Sequence, residues 1–371
     1  MRLALREMRR RPGRFVTAMV LLTLIAMLLM LLGGLLDGLI QRATGAIIAQ
    51  RGDLVVFSST AEKSLPRSRI TPELRDQVAN VDGVARVHGL GVTQLAARVP
   101  GNGPRDLADV ALFGYQLPPR GVPSPPAEGE VFADRSLESD GVERGDVLQL
   151  GPARSKVKVV GFVDDTSYSG AGSLWAAPAT WRTVQNANRP ASAVGPGVFQ
   201  ALVVETAAGA DTGSVARAID RATDDATETV SVTAAADSIG GVRAQRSTFN
   251  QIIGVTLVIA AVVVALFFAL LTVERIGMYG MLKAIGARSR TLFGGVVAQA
   301  TIVALVAAAV GSIFAFVLDR ALPPGSIPYQ LQPSRLVSSS VALVLAAIVG
   351  SAFSLRRVLR VDPAAAIGRS S

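Results

Sequence analysis

The sequence predicts a helical membrane protein: four spans, with an α/β domain between the first and second. Three observations carry this prediction. Apolar residues make up 50% of the 371 residues, yet they collect into four long uncharged blocks rather than spreading at strand or helix periods. One mixed-composition stretch, residues 41–249, separates the first block from the other three. The excess of basic residues sits beside the apolar blocks and not in that stretch, which carries 21 Lys and Arg against 23 Asp and Glu. The remaining residues hold 16 basic and 5 acidic side chains, the distribution expected where charge sets membrane topology. A nucleic-acid-binding reading of the net charge of +9 is disfavoured on the same ground, because it needs a basic patch on a folded domain and residues 41–249 carry no net basic excess.

The first block, Val16 to Leu36, contains 21 residues. At ~1.5 Å per residue it crosses the ~30 Å hydrocarbon layer. Arg2, Arg6, Arg9, Arg10, Arg11 and Arg14 precede it, with Pro12-Gly13 as a break. A cleaved signal sequence is the alternative, but its apolar region would be roughly 7–15 residues and end at a small-x-small site, so a retained helix is preferred. The other blocks run from Ile252 to Val273, Leu292 to Leu318 and Leu336 to Leu355. Arg275, Lys283, Arg288 and Arg290 fall between the second and third, and Arg356, Arg357, Arg360 and Arg369 follow the fourth. The connection 319–335 holds only Arg320 and Arg335. The positive-inside rule then places both termini and the 274–291 loop in the cytoplasm of a bacterial cell membrane, and residues 41–249 outside.

The expected order is therefore an amphipathic entry helix at 1–14, spans at 15–40, 250–273, 292–318 and 336–355, an inner loop at 274–291, a short outer loop at 319–335 and an inner tail at 356–371. Within the outer domain, Asp53 to Phe57 reads as a strand, and Thr71-Pro72-Glu73 opens a helix with Thr as cap and Pro at its first position. Val84 to Val87 and Val92 to Val99 read as two strands, and the Pro-rich run 118–126 as an extended connector. Gly145 to Leu150 and Val157 to Val163 are further strands. Phe199 to Glu205, about 213–224 and Thr229 to Val232 read as strand, helix and strand. This order implies a discontinuous α/β subdomain, about 41–117 and 198–249, with a β-rich subdomain inserted at about 127–197.

Chemistry-bearing motifs are few. The absence of cysteine excludes disulfides, thiolate catalysis and Cys-type zinc sites. No Gly-x-x-x-x-Gly-Lys-Ser/Thr phosphate loop occurs. His88 is the single histidine and has no second metal-ligand type beside it, so a surface or packing role is expected. Asp164-Asp165 and Asp224-Asp225 are neighbours that would face opposite ways on a strand, and solvated loop positions fit them better. No catalytic constellation remains, and the chain is not expected to be an enzyme. Met19, Met27 and Met30 fall near one face of the first block. Methionine adapts to varied apolar ligands, so they are a speculative substrate route, though lipid contact or helix packing is the commoner role. Asp37 lies just beyond that block, where a charge costs little.

The inner loop, Glu274 to Arg290, is more than a basic turn. Ile276, Met278, Met281, Leu282 and Ile285 have helical spacing, while Arg275 and Lys283 reach water or headgroups. Gly277, Gly280 and Gly286 permit close approach. A short amphipathic helix of this kind suits docking into a groove on a partner.

At this loop, Glu274-Arg-Ile-Gly-Met-Tyr-Gly-Met-Leu-Lys-Ala-Ile-Gly-Ala287 resembles the hallmark of the FtsX/MacB-type ABC transporter permeases, also called type VII. Leu5 to Phe15 is similar to their entry helix, Asp362 to Ile367 to their C-terminal ending, and Gly129 to Asp134 with Gly145 to Leu148 to their outer β subdomain. Arg9 to Phe15 and Tyr168, Trp175 and Trp181 resemble the haem-exporter and DevC-like members more closely. Its 371 residues show no ATPase domain of the kind fused in MacB, so a separate ATPase is expected. The resemblance implies a permease dimer on two copies of a separate ATPase, which alone binds ATP and magnesium. It assigns Glu274, Arg275, Gly277, Leu282, Lys283, Gly286 and Ala287 to ATPase coupling, and Arg6, Glu7 and Arg10 to the entry helix. The expected function is export or extraction of a hydrophobic or amphipathic substrate by mechanotransmission. The alternative is a non-transporting regulator that relays ATPase motion to an outer partner such as a cell-wall hydrolase; an adaptor outside is compatible with both. A sensor or adhesin on a membrane anchor would need one span and leaves three unexplained.

Overall fold

The computed structural model describes residues 12–103, 105–274, 289–323 and 325–358. They fall into two compact units, one of Met1–Asp37, Arg246–Ala321 and Tyr329–Ser371, the other of Gly38–Gln245 and Leu322–Pro328.

Helix α1 (Pro12–Ile48) contributes to both units. It runs beyond the apolar block because Ala46 and Ile47, one turn after Arg42, are buried in the core of the second unit.

The second unit is an α/β domain built on a nine-stranded sheet. Its elements are β1 (Leu54–Ser58), α2 (Pro72–Ala79), β2 (Val84–Arg98), β3 (Leu107–Tyr115), β4 (Glu130–Asp134), β5 (Val147–Leu150), β6 (Ser155–Val163), β7 (Gly172–Ala176), α3 (Pro178–Asn188), β8 (Ala201–Thr206), α4 (Thr212–Ala222), β9 (Thr227–Ser231) and α5 (Val232–Asp237). Strand pairing runs β3-β7-β4-β6-β5-β2-β8-β1-β9, and β3 also pairs with β2. The pairing thus returns from β2 through β3, β7, β4, β6 and β5 to β2, closing a ring of six strands. β8, β1 and β9 extend from the first half of β2.

Side-chain alternation on this extension separates two cores. Leu54, Val56, Leu202 and Val204 face Val78 of α2 and Val215 and Ile219 of α4. Val55, Phe57, Ala201 and Val203 belong to a second core with Phe113, Tyr115 and Trp175. A third core lies within the ring, where Val110, Leu112, Val131, Leu148, Val159 and Leu174 meet Trp181 of α3. Helix ends are capped as their sequences require: Thr71 Oγ1 accepts from Leu74 N at 3.4 Å, and Asp211 Oδ2 accepts from Ser214 N at 2.8 Å.

β2 corrects the expectation of two strands. It continues through Gly89 and Gly91, which make room rather than interrupt. A Cβ on Gly91 would lie 2.2 Å from the Trp181 ring, and one on Gly89 2.3 Å from the Phe199 ring. Gly114, paired with Gly91 across the strands, completes the seat for Trp181. β3 and the second half of β2 also pair into the β-rich part, past the split that the sequence suggested at residue 117.

Among the described residues, the first unit also holds the helices α6 (Val242–Val273), α7 (Ser289–Ala321) and α8 (Pro333–Val358). With α1 they supply four stretches long and apolar enough to cross a membrane, Val16–Ile48, Val242–Val273, Gly294–Ala321 and Pro333–Phe353. Their shared core has helical spacing: Ala18, Leu22, Ala26 and Leu29 of α1 meet Ala260, Val264 and Phe268 of α6 and Ala300, Val303, Ala304 and Ala307 of α7. Leu343 and Ala347 of α8 join them. Small residues dominate, as expected where close packing replaces the hydrophobic drive between helices. Outward, α6 exposes Val255, Val258, Val262, Leu266 and Leu270, a stripe suited to lipid.

Candidate functional site

Of the residues assigned by resemblance to ATPase coupling, Glu274 is described. It follows the last residue of α6, is exposed, and donates its backbone N–H to Leu270 O at 3.1 Å. Arg275, Gly277, Leu282, Lys283, Gly286 and Ala287 lie outside the described residues, as do Arg6, Glu7 and Arg10.

The three methionines of α1 differ in their surroundings. Met30 is buried, and its sulfur lies 3.8 Å from Ser312 Oγ on α7. Met19 packs against the helical core, and Met27 is half-buried. At Met30 the sulfur therefore fills a helix contact.

Asp37 overturns its expectation. It is 5% exposed, not a cheap charge in water, because Arg335 at the start of α8 reaches it across 298 positions of sequence. Arg335 Nη2 donates to Asp37 Oδ1 at 2.6 Å and Nε to Oδ2 at 3.0 Å, the two-pronged geometry that guanidinium and carboxylate favour. The backbone of α1 is shaped for this contact. Gly33 admits the stem of Arg335, whose Cδ would lie 3.0 Å from a Cβ there. At Gly34 a Cβ would fall 2.3 Å from the Tyr329 ring. Gln330 N donates to Gly34 O at 3.0 Å, and Leu331 N to Asp319 Oδ1 at 3.1 Å. Tyr329 OH donates to Ala315 O at 3.4 Å. Burial, and then the charge of Asp319, pushes the Tyr329 phenol up to about 12. The segment 329–335 is thus fixed to α1 and α7 at several points.

In the α/β domain, His88 lines a shallow cleft of about 690 Å³ with Pro72, Arg75, Asp76, Val87 and Gln116. His88 Nε2 lies 3.2 Å from Glu205 Oε2, which also pairs with Arg86 Nε at 2.6 Å. Arg75 donates to Val87 O at 3.3 Å and lies over the Phe199 ring. Of the acidic neighbours, exposed Asp164 accepts from Arg135 Nε at 2.6 Å, while Asp224 and Asp225 occupy a turn with φ of 51° and 56°. A separate buried network centres on Asp134, which accepts from Thr166 N at 2.7 Å, Thr166 Oγ1 at 2.8 Å, Ser136 N at 3.0 Å and Ser167 Oγ at 3.2 Å. Among the described residues no group of three or more His, Cys, Asp or Glu could hold a metal ion.

Four spans with an α/β domain between the first two define a multi-pass membrane protein, and comparison with known proteins narrows that class. Residues 250–363 match the family model described as FtsX-like permease C-terminal. Over 371 residues the chain is 21% identical to a putative hemin transport system permease protein, HrtB, of Staphylococcus epidermidis, covering 99% of each chain. It is 26% identical over 373 residues to an uncharacterized ABC transporter permease of Mycobacterium tuberculosis, covering 98% of each. Among solved structures, the extracellular domain of the transporter YknZ from Gram-positive bacteria matches 48% of this chain and 98% of its own, at 16% identity and a TM-score of 0.33. Residues 250–363 thus carry the FtsX-like permease C-terminal part, and nearly the whole chain is similar to permease subunits of ABC transporters.

Proposed function

We propose that this chain is the membrane half of an ABC exporter whose ATPase is a separate protein. The observation that carries the reading is the family match, which runs from α6 through the 274–291 loop to the end of the fourth span. Two permease chains sit on two ATPase copies. ATP binding closes the ATPase pair, and Glu274, Arg275, Gly277, Leu282, Lys283, Gly286 and Ala287 pass that motion into the spans. Arg6, Glu7 and Arg10 lie alongside, on an entry helix at the membrane surface. The basic side chains in the short connections support placing this loop and both termini in the cytoplasm, and the α/β domain outside the cell membrane. The domain's movement then extracts or expels a hydrophobic or amphipathic substrate. Relatives named for hemin transport make hemin the first compound to test.

The experiment is co-purification of the chain with its ATPase, followed by hydrolysis assays in nanodiscs. Lys283→Glu combined with Gly286→Trp is expected to lower permease-stimulated hydrolysis about tenfold or more, since charge reversal and bulk both oppose docking. Unchanged stimulation would remove the loop from the coupling path. Hemin stimulation of the wild-type complex, absent in the double variant, would identify the substrate class.

A further inference from the structure

Beyond the coupling loop, we infer that Asp37 and Arg335 are a positioning pair that locks the connection between the third and fourth spans onto the first. The contact lies wholly within the helical unit. Several of its features are independent. The ion pair is two-pronged, and its carboxylate is 5% exposed. Two consecutive glycines on α1 clear space for the two side chains that arrive, Arg335 over Gly33 and Tyr329 over Gly34. Two backbone N–H groups of the arriving segment, those of Gln330 and Leu331, are spent on Gly34 O and Asp319 Oδ1. Tyr329 adds a bond from its hydroxyl to Ala315 O on α7.

The chemistry of the pair argues for a role beyond stability. Charges at the ends of spans are costly to bury, and a buried ion pair is often replaceable by apolar residues of similar size without loss. What such a pair supplies is discrimination: only one register of α8 against α1 satisfies both prongs. Arg335 is 30% exposed in its side chain while Asp37 is almost enclosed, so α1 holds the fixed half and α8 brings the half that can leave. With the pair closed, α1, α7 and α8 form one body; with it open, α8 is free to slide. Closure is a property of this chain alone. Its importance for transmitting movement rests on the proposed permease function.

The lock and its role are separable in one experiment on the full chain in nanodiscs, with and without the ATPase. The variants are Asp37→Asn, Arg335→Gln, the exchanged pair Asp37→Arg with Arg335→Asp, and Asp37→Glu as the conservative change. Amide hydrogen exchange at Gln330 and Leu331 reports the lock directly. Each neutralising variant is expected to speed exchange there about tenfold, with the exchanged pair and Asp37→Glu recovering most of it, because a cycle isolates the pair term. Stimulated hydrolysis should follow the same order. Exchange equal to wild type in the neutral variants would overturn the lock, and so would an exchanged pair no better than either single change, which would leave packing alone as the cause. Faster exchange with unaltered stimulated hydrolysis would overturn its role in coupling. A chain that stimulates no ATPase would instead defeat the permease reading, while the exchange result would still judge the lock.

Discussion

The two units differ in how far their buried polar groups reach for partners. In the helical unit the hydroxyls look inward along their own helices: Thr256 donates to Ile252 O, Thr272 to Phe268 O, Thr301 to Val297 O and Ser312 to Ala308 O, each one turn back. In the α/β unit Thr223 does the same toward Ile219 O, but other buried polar groups reach far in sequence. Asp134 gathers Thr166 and Ser167 from about thirty residues away, and Trp181 Nε1 donates to Thr93 Oγ1 at 3.0 Å, which in turn donates to Gln185 Oε1 at 2.5 Å. The contrast follows from the solvent each unit must tolerate. A span must satisfy its polar groups within itself, whereas a water-soluble core can assemble them from distant strands. Asp37 and Arg335 break the helical unit's habit, which is why they stand out as built for a purpose.

Substitutions should reproduce this contrast. Trp181→Ala removes the ring for which Gly91 and Gly114 leave space, and the domain should lose about 3–5 kcal/mol, read as a drop in its thermal midpoint. Asp134→Asn keeps the size but turns one acceptor into a donor facing Thr166 or Ser136, and a loss of about 2–3 kcal/mol is expected by denaturant titration. A smaller effect should appear at high pH. Burial pushes the Tyr168 phenol up to about 12 and that of Tyr115 upward too. The unfolded chain releases these protons near pH ~10 and the folded domain does not, so stability should hold up to that point and fall as the pH rises toward 12. Near-ultraviolet circular dichroism of the full chain would follow that loss. Thr272→Val should cost least, about 0.6 kcal/mol or less, because its hydroxyl serves only its own helix. A large cost there would end the contrast between the units.

What was legible in the sequence follows the range of the forces involved. Spans announce themselves locally through uncharged runs, and the helix at Pro72–Ala79 through its capping threonine and first-position proline. β2 was not legible as one strand, since Gly89 and Gly91 look like breaks until Phe199 and Trp181 arrive from about a hundred residues downstream. α1 outruns its apolar block because its last turns are buried in the core of the α/β unit. The Asp37–Arg335 contact left one hint, a charge beside an apolar block; its partner sits 298 positions away at the head of another helix. Consecutive glycines one turn before that aspartate were the remaining clue, because they clear a path for side chains from elsewhere.

In the proposed permease a push on the inner loop is felt by a domain on the opposite face of the membrane, and the absence of cysteine makes that sidedness directly measurable. Single cysteines at Arg144, exposed in the α/β domain, and at Arg288, in the loop, would be challenged in intact cells with a membrane-impermeant maleimide. Arg144→Cys is expected to be labelled at once and Arg288→Cys only after lysis. Labelling of the loop in intact cells, or of both sites from the same side, would contradict it.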